Sequence, residues 1–309
     1  MTVTIGGIAA PHPGRAMIRT LRRFFRTPKG LMLLALTALT ALAAPGAGLA
    51  LVTPGILAAV VGAALLDTAL LRLTRGEWEF PSGAILSALF VALVLDAHEP
   101  WPVTLGTAIL AINAKYIFRT RWSNIFNPAA IALVASSFLF ASGQSWWGAL
   151  PDLPGPFIVV LLVAVIFIAD RVNKLPLVVA FGAGYYAILT VVAFVGDPAT
   201  VAELFRVPNL NATLFFAGFM LTDPPTSPTR PRDQILYGLI VASASAAIYL
   251  TLGGVYFLPA GLLVGNAWEA LRRIAAARKR PARRASSPGP PPAPRATRTA
   301  PLEARTPRP

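Results

Sequence analysis

Two asparagines near the middle of the chain, Asn124 and Asn127, are the residues best suited by type and spacing to hold a ligand. They stand three positions apart at the predicted start of a helix, so both amides can face one ligand. Each amide offers donor and acceptor groups, which suits the edge of a heteroaromatic ring such as isoalloxazine. The alternative is capping alone, because Asn before Pro128 is a favoured helix N-cap.

Polar residues gather at two other places in the sequence. A Pro-Ser-Gly triplet at 81–83 opens one apolar run, and residues 222–230 follow another. Two prolines after Asp223 end the preceding helix and leave its last carbonyl groups without helical partners. Those carbonyls and the hydroxyls of Thr226 and Ser227 suit a cation or the imide of a ring. The alternative is an Asp-Pro turn that binds nothing.

Two acidic residues are candidates for an ion path, and each also has a structural interpretation. Asp67 lies inside an apolar run, and a carboxylate at the centre of a membrane helix costs about 2.5–3.5 kcal/mol. It either pairs with Arg72 or Arg75 or takes part in ion transfer. Asp96 lies with His98 at the end of another run, where it either admits a proton or sodium ion or belongs to a solvated loop.

The composition excludes several kinds of redox and catalytic site. With no cysteine, the chain has no disulfide, no thiolate for zinc and no ligands for an iron–sulfur cluster. The predicted topology places its two histidines on opposite sides of the membrane, which excludes bis-histidine haem. A redox centre would therefore be a flavin or a quinone. No metal site is predicted, and without a P-loop, dinucleotide fingerprint or hydrolase elbow no catalytic residue is assigned.

Ten apolar stretches must position these residues. Hydrophobic residues make up 55% of the chain and charged residues 13%, against about 25% charged in soluble domains. The stretches cover about 30–46, 49–72, 83–95, 101–117, 127–142, 156–170, 175–195, 211–222, 235–252 and 254–271. A bilayer core needs roughly 20 residues per helix, and several stretches approach that length with their flanks. The sequence therefore predicts an all-α integral membrane protein with ten transmembrane helices.

The distribution of Lys and Arg sets the predicted orientation. Of 27 cationic side chains, all except Arg206 lie in the leading segment, the trailing segment and every second connection. Cytoplasmic loops collect Lys and Arg in this way. The chain is therefore predicted to lie in a bacterial plasma (inner) membrane, with both termini on the cytoplasmic side. The net charge of +14 sits beside apolar spans, so its predicted partners are anionic lipids and not nucleic acid.

The stretches divide into two sets of five. Residues 126–129 and 257–260 open the fifth and tenth stretches with similar sequences, and the same offset roughly aligns the other four pairs. An odd number of spans inverts the second copy, which predicts inverted repeats at about 28–145 and 155–274. The third and eighth stretches are too short to cross a bilayer alone and mark broken helices around a site near the midplane.

The predicted membrane domain covers 28–274. A basic arm at 1–27 precedes it, and a tail at 275–309 follows, rich in Pro and Arg and predicted to be disordered. A cleaved signal peptide is the alternative for the first stretch, although the pairing of the two halves requires that stretch. Trp146 and Trp147 are interpreted as an aromatic belt at the membrane surface.

Over roughly 81–270 the chain resembles the RnfD/NqrB family, which comprises membrane components of the Rnf electron-transport complex and of the sodium-pumping NADH:quinone oxidoreductase. The resemblance implies ten helices in inverted repeats and flavin-mediated electron transfer, coupled in the best-known members to ion movement. The matching motifs, in order, are Pro81-Ser82-Gly83-Ala84, Lys115, Asn124-Ile125-Phe126-Asn127-Pro128-Ala129, Thr222-Asp223-Pro224, Pro228-Thr229, and Gly253-Gly254 ahead of Asn266.

The resemblance also implies a flavin site. Family members hold a non-covalent flavin through the asparagines that match Asn124 and Asn127, and Lys115 would stabilise its anionic reduced form. The family's Ser-Gly-Ala-Thr motif for covalent flavin mononucleotide is replaced by Ser-Gly-Gln-Ser at 142–145. The expected cofactor is therefore non-covalent riboflavin or flavin mononucleotide. The candidate flavin-binding residues are Asn124, Asn127, Lys115, Asp223, Thr226, Ser227 and Asn266.

The leading hypothesis is a redox subunit of a membrane oxidoreductase complex and not a stand-alone enzyme. Because one flavin does not bridge the bilayer with short electron hops, partner redox subunits are required. One alternative is a secondary transporter of a small solute or ion on the same scaffold. Another is a cofactor-free membrane anchor or auxiliary protein of a biosynthetic cluster.

Overall fold

The computed structural model describes residues 23–76, 78–120 and 124–279, and all regular elements in these ranges are helical. Two isolated bridges there join Leu95 to Gln144 and Arg119 to Asn124. The helices are α1 (Pro28–Ala47), α2 (Leu49–Arg75), α3 (Ser82–Val94), α4 (Trp101–Ile117), α5 (Pro128–Leu139), α6 (Phe157–Arg171), α7 (Leu175–Val195), α8 (Ala199–Ala202), α9 (Asn209–Phe215), α10 (Pro231–Leu252) and α11 (Phe257–Lys279). A π-helix at Phe216–Met220 continues α9.

Each predicted apolar stretch coincides with a helix, and the all-α prediction is confirmed for the described ranges. Four of the described helices are long and apolar enough to cross a bilayer, namely Pro28–Ala47, Leu49–Thr74, Leu175–Val195 and Pro231–Leu252. This content is consistent with a membrane protein. Ten crossings and an inverted repeat stay predictions, because the remaining helices are shorter or more polar than a lone span requires.

The two shortest predicted spans form interior helices. α3 has 13 residues, and α9 has seven, continued by the five residues of the π-helix. Most of their residues are buried. Phe90 of α3 meets Phe215 of α9 edge to face, with ring centroids 6.4 Å apart. Helices too short to span a bilayer are thus enclosed by protein, as their backbone requires at membrane depth.

The long helices pair in the same way in both halves. α2 packs most extensively on α4 and α7 on α10, which are the second and fourth helices of each predicted repeat. Gly238 of α10 allows a close approach, because a Cβ there would lie 2.8 Å from the carbonyl oxygen of Leu177 in α7. Small residues serve such close packing between membrane helices.

The segment between α5 and α6 turns inward, so the prediction of a surface aromatic belt is wrong. Trp146 and Trp147 are only 5% and 3% exposed. The Trp147 indole donates a 2.8 Å hydrogen bond to the carbonyl of Ala92, in the last turn of α3, where helical carbonyls lack partners of their own. The Asn211 amide likewise donates to the carbonyl of Ala149 at 3.1 Å. Because α3 ends inside the protein, its last carbonyls need a buried hydrogen-bond donor. The indole of Trp147, which the sequence pattern placed at the membrane surface, is that donor.

The last helix runs past the predicted end of the membrane domain. α11 continues to Lys279, past the predicted domain end at residue 274. By its contacts the chain divides after Leu271, and residues from Arg272 onward form a separate unit. Residues 1–22 of the predicted basic arm and 280–309 of the predicted disordered tail lie outside the described residues.

Candidate functional site

Asp67 and Lys115 form an ion pair between α2 and α4, in which the aspartate is buried and the lysine partly buried. The ammonium nitrogen of Lys115 lies 2.7 and 2.9 Å from the two carboxylate oxygens. The Tyr116 hydroxyl donates to the same carboxylate at 2.8 Å, and Asp67 is 1% exposed. Asp67 is thus paired as the structural interpretation required, but its partner is Lys115 and not Arg72, which donates instead to the carbonyl of Gly76.

Helix geometry explains this correction. Residues five apart on an α-helix point about 140° away from each other, so Arg72 faces away from Asp67. Lys115 reaches the carboxylate from the neighbouring α4, which packs along α2. The side chain of Arg75 lies outside the described residues. Lys115 therefore has its charge balanced locally, and a ligand at this point would have to share the ammonium with Asp67.

The ion pair lies beside the first turn of α3. A Cβ added to Gly83 would stand 3.7 Å from the ammonium nitrogen of Lys115. The triplet at 81–83 and Lys115, which belong to separate motifs of the sequence, are therefore neighbours. The packing of α3 against α4 brings them together, a contact that sequence order alone does not give.

Asn127 and Asn266 form a second buried polar cluster, which we call the amide cluster. The side-chain oxygen of Asn127 accepts from the backbone N–H of Ala130 at 3.1 Å and caps α5. Its backbone N–H donates to Asn266 Oδ1 at 2.8 Å, and Asn266 Nδ2 donates to the Tyr237 hydroxyl at 2.6 Å. Asn127 Nδ2 makes only a 3.5 Å contact with the carbonyl of Met220, at the end of the π-helix. The capping interpretation is confirmed, and ligand contact stays a prediction.

The amide cluster joins the two predicted halves of the molecule. Asn127 belongs to the first half, whereas Met220, Tyr237 and Asn266 come from the π-helix, α10 and α11 of the second. Asn127 and Asn266 are 3% and 0% exposed. Sequence reasoning named both asparagines but missed Tyr237, because a tyrosine inside an apolar stretch carries no signal of its partner.

Asn124 does not share the first turn of α5 with Asn127. Pro128 is the first helical residue, so Asn124 precedes the helix and forms a backbone bridge with Arg119. The N–H of Ile125 donates to the Phe118 carbonyl at 2.9 Å and closes this turn. The two amides are therefore held by different local structures, and the expectation that one helical spacing aligns them is wrong.

The segment 223–229 is folded on itself and fastened by a buried lysine. Thr226 Oγ1 donates to Asp223 Oδ2 at 3.0 Å, and Ser227 Oγ donates to the Asp223 carbonyl at 2.8 Å. The ammonium of Lys174 donates to the carbonyls of Ser227 and Pro228, and Lys174 is 3% exposed. A cation of the chain itself is therefore bound in this loop, at the carbonyls of Ser227 and Pro228. The carbonyls that end the preceding helix are different groups, and their suitability for a cation stays a prediction.

Sequence reasoning counted Lys174 only as one of the loop charges. The available signal was its position in a very short connection, since Arg171 ends α6 and Leu175 begins α7. The connection is also tied to α10, because Gln234 Nε2 donates to the carbonyls of Asn173 at 2.9 Å and Thr229 at 3.2 Å. Lys174 and Gln234 therefore hold the loop at 223–229 in place.

The acidic residues after α3 accept hydrogen bonds from the backbone of their own loop and from the loop that follows α5. Asp96 Oδ1 accepts from the backbone N–H of His98 at 2.8 Å, and Glu99 Oε1 accepts from the N–H of Gly143 at 2.8 Å. A cavity of about 10 Å³ beside them, large enough for one water, is bordered by Asp96 and Gly55. Gly55 and Asp67 lie about 18 Å apart along α2, so the structure does not bring the two ends of the predicted ion path together.

No family model and no curated protein matches this sequence. The resemblance to the electron-transport components therefore rests on the short motifs themselves. In the structure these motifs occupy the Lys115 ion pair, the amide cluster and the loop at 223–229, and each of these sites is built from residues distant in sequence.

Proposed function

We propose that the chain is an integral membrane subunit of an electron-transport system, which binds a flavin non-covalently and passes electrons to partner subunits. The observation that carries this proposal is the amide cluster. Polar side chains are costly to bury in a membrane protein, which makes this cluster a candidate functional site. The cluster also adjoins a π-helix, an element frequent at functional sites.

The proposed architecture is ten crossings in two inverted repeats, with both termini in the cytoplasm. It is supported by the coincidence of ten apolar stretches with helices and by the matching pairs α2–α4 and α7–α10. The two interrupted elements, α3 and the α9–π-helix segment, meet through Phe90 and Phe215. Interrupted helices that meet in this way surround the binding sites of inverted-repeat membrane proteins.

The donor set of the site fits the polar edge of a flavin ring. The Asn127 amide keeps a donor whose only contact among the described residues is a long one, 3.5 Å to Met220. Asp223 offers carboxylate oxygens, and Thr226 fixes that carboxylate at 3.0 Å. Asn124, Ser227 and Asn266 complete the proposed set, with Lys115 contributing a charge that Asp67 shares. A bound flavin would supply one- and two-electron transfer, while these residues would bind and orient its ring.

The matched pair of variants Asn127→Ser and Asn209→Ser tests this site. Serine at 127 keeps an oxygen that caps α5 but removes the amide donor. We expect the flavin content of the purified protein to fall about tenfold, which corresponds to the loss of one ligand hydrogen bond. Asn209 donates to the Glu203 carbonyl far along the chain from the cluster, so Asn209→Ser should retain flavin. Unchanged flavin content in Asn127→Ser would refute the site.

A second candidate function is transport of an ion or small solute. The Asp67–Lys115 pair favours it, because ionisable residues inside membrane helices commonly line substrate or proton paths. A transporter would take up its substrate in liposomes that contain this chain alone and would carry no chromophore. A colourless protein without uptake would instead indicate the cofactor-free anchor.

A further inference from the structure

A groove of about 550 Å³ runs along the outward face of α2. Its lining is almost entirely apolar and includes Leu65, Ala69 and Leu73, and Arg72 and Trp78 border the end that follows the helix. Leu73 and Trp78 are 81% and 77% exposed. Side chains of this size and exposure on a helix long enough to span a bilayer require a cover other than water.

Among its described lining residues, the groove contains one charged side chain, Arg72, and each contact that the structure shows for it is with a neutral group. The guanidinium of Arg72 lies 5.7 Å from the centroid of the Trp78 ring and donates to the carbonyl of Gly76. A ring face and one carbonyl use part of the five N–H donors that a guanidinium carries. The remainder can donate to an acceptor at the mouth of the groove.

Further cations gather at the same corner of the molecule. Phe24 packs edge to face on Phe80, with ring centroids 6.1 Å apart, and this contact brings the N-terminal turn next to the segment that borders the groove. Among the described side chains, the basic residues here outnumber the single acidic residue, Glu79. They are Arg23, Arg26, Lys29 and Arg72. The corner is therefore complementary to a negatively charged headgroup.

We propose that this groove binds one anionic phospholipid, with an acyl chain against Leu65, Ala69 and Leu73 and the phosphate at Arg72. A protein helix in the groove would bury the guanidinium without a matching carboxylate, which is costly. A lipid leaves the guanidinium at the membrane surface, where Arg side chains in spans normally reach. The proposal is independent of the proposed redox function.

The test compares lipid binding by the full chain and its variants in mild detergent. Native mass spectrometry would count bound phosphatidylglycerol and phosphatidylcholine at equal concentrations. We expect about fivefold tighter binding of phosphatidylglycerol, and Arg72→Gln should remove this preference, since one cation near a phosphate contributes about 1 kcal/mol. Arg72→Lys should keep most of it. Arg171→Gln changes an exposed cation at the end of α6 and should have no effect.

Three outcomes would overturn the proposal. Equal binding of the two lipids would show an apolar surface without headgroup recognition. An unchanged preference in both Arg72→Gln and Trp78→Leu would show that the headgroup is recognised elsewhere on the chain. The third outcome is that a second copy of the chain occupies the groove. Because the chain has no cysteine, Thr68→Cys places a single thiol in the groove. A disulfide-linked dimer of that variant in lipid bilayers would show that a second copy occupies it.

Discussion

Two lysines, one in each predicted half of the molecule, are bound by other groups of the protein, and the two are held in different ways. Lys115 is bound by the carboxylate of Asp67 across two packed helices, and its side chain is 19% exposed. Lys174 is 3% exposed and donates to backbone carbonyls of Ser227 and Pro228. The first lysine therefore fastens helix to helix, whereas the second fixes the shape of a loop.

This difference predicts that the two lysines affect different properties. Loss of the Asp67–Lys115 pair should lower the stability of the whole helix bundle, because α2 and α4 are among the most extensively packed helices. Loss of the Lys174 contacts should loosen residues 223–229, which belong to the proposed flavin site. The following substitutions test this separation, from the largest expected effect to the smallest.

Asp67→Asn should have the largest effect. It leaves the partly buried Lys115 ammonium without a countercharge, and breaking a fully buried ion pair on one side costs about 3–5 kcal/mol. Because Lys115 is partly exposed, we expect the lower end of that range. Thermal unfolding in mild detergent would measure the loss.

The control for this prediction is the double variant Asp67→Asn with Lys115→Met. Removal of both charges should restore most of the lost stability, since an uncompensated charge no longer has to be buried. Equal losses in the single and double variants would show that the ion pair does not fasten α2 to α4.

Lys174→Met should have an intermediate and local effect. It removes hydrogen bonds from a charged donor to two carbonyls, which costs about 1.5–3 kcal/mol. Hydrogen exchange should increase at 223–229 and stay unchanged in α2 and α4. Arg171→Gln, three residues earlier and exposed, is the matched control. An increase in exchange throughout the bundle would contradict the assignment of Lys174 to loop shape.

Thr226→Val should have the smallest effect. It keeps the size of the side chain but removes the hydroxyl that donates to the Asp223 carboxylate, and we expect a loss of stability of about 1 kcal/mol. The exposed Thr251 donates to the carbonyl of Ala247 within its own helix, so Thr251→Val should change stability less. Equal effects at the two positions would show that the Asp223–Thr226 contact adds nothing specific.

The positions of the helices and the cap of α5 were predictable because their signals are local. Apolar runs, the short third and eighth stretches, and Asn127 before Pro128 are all read from neighbouring residues. The partner of Asp67 was not predictable in this way, since Lys115 lies 48 positions away and Arg72 is closer in sequence. The predicted pairing of Asp67 with Arg72 or Arg75 assumed that residues close together on one helix are in contact.

The burial of Trp146 and Trp147 shows a second limit. A pair of tryptophans between apolar stretches is typical of a membrane surface, and nothing nearby indicates otherwise. The reason for their burial lies in α3, whose last carbonyls end inside the protein and receive the Trp147 indole. Lys174 was overlooked for a similar reason, because the carbonyls that it meets belong to a loop more than fifty residues later.

The most direct test of the proposed function is the absorbance and fluorescence spectrum of the full chain, purified in mild detergent, before and after acid precipitation. The account predicts a yellow protein whose flavin is released into the supernatant in about equimolar amount. Flavin that stays with the pellet would contradict non-covalent binding. A colourless, folded protein that does not take up added riboflavin or flavin mononucleotide would contradict the electron-transport proposal.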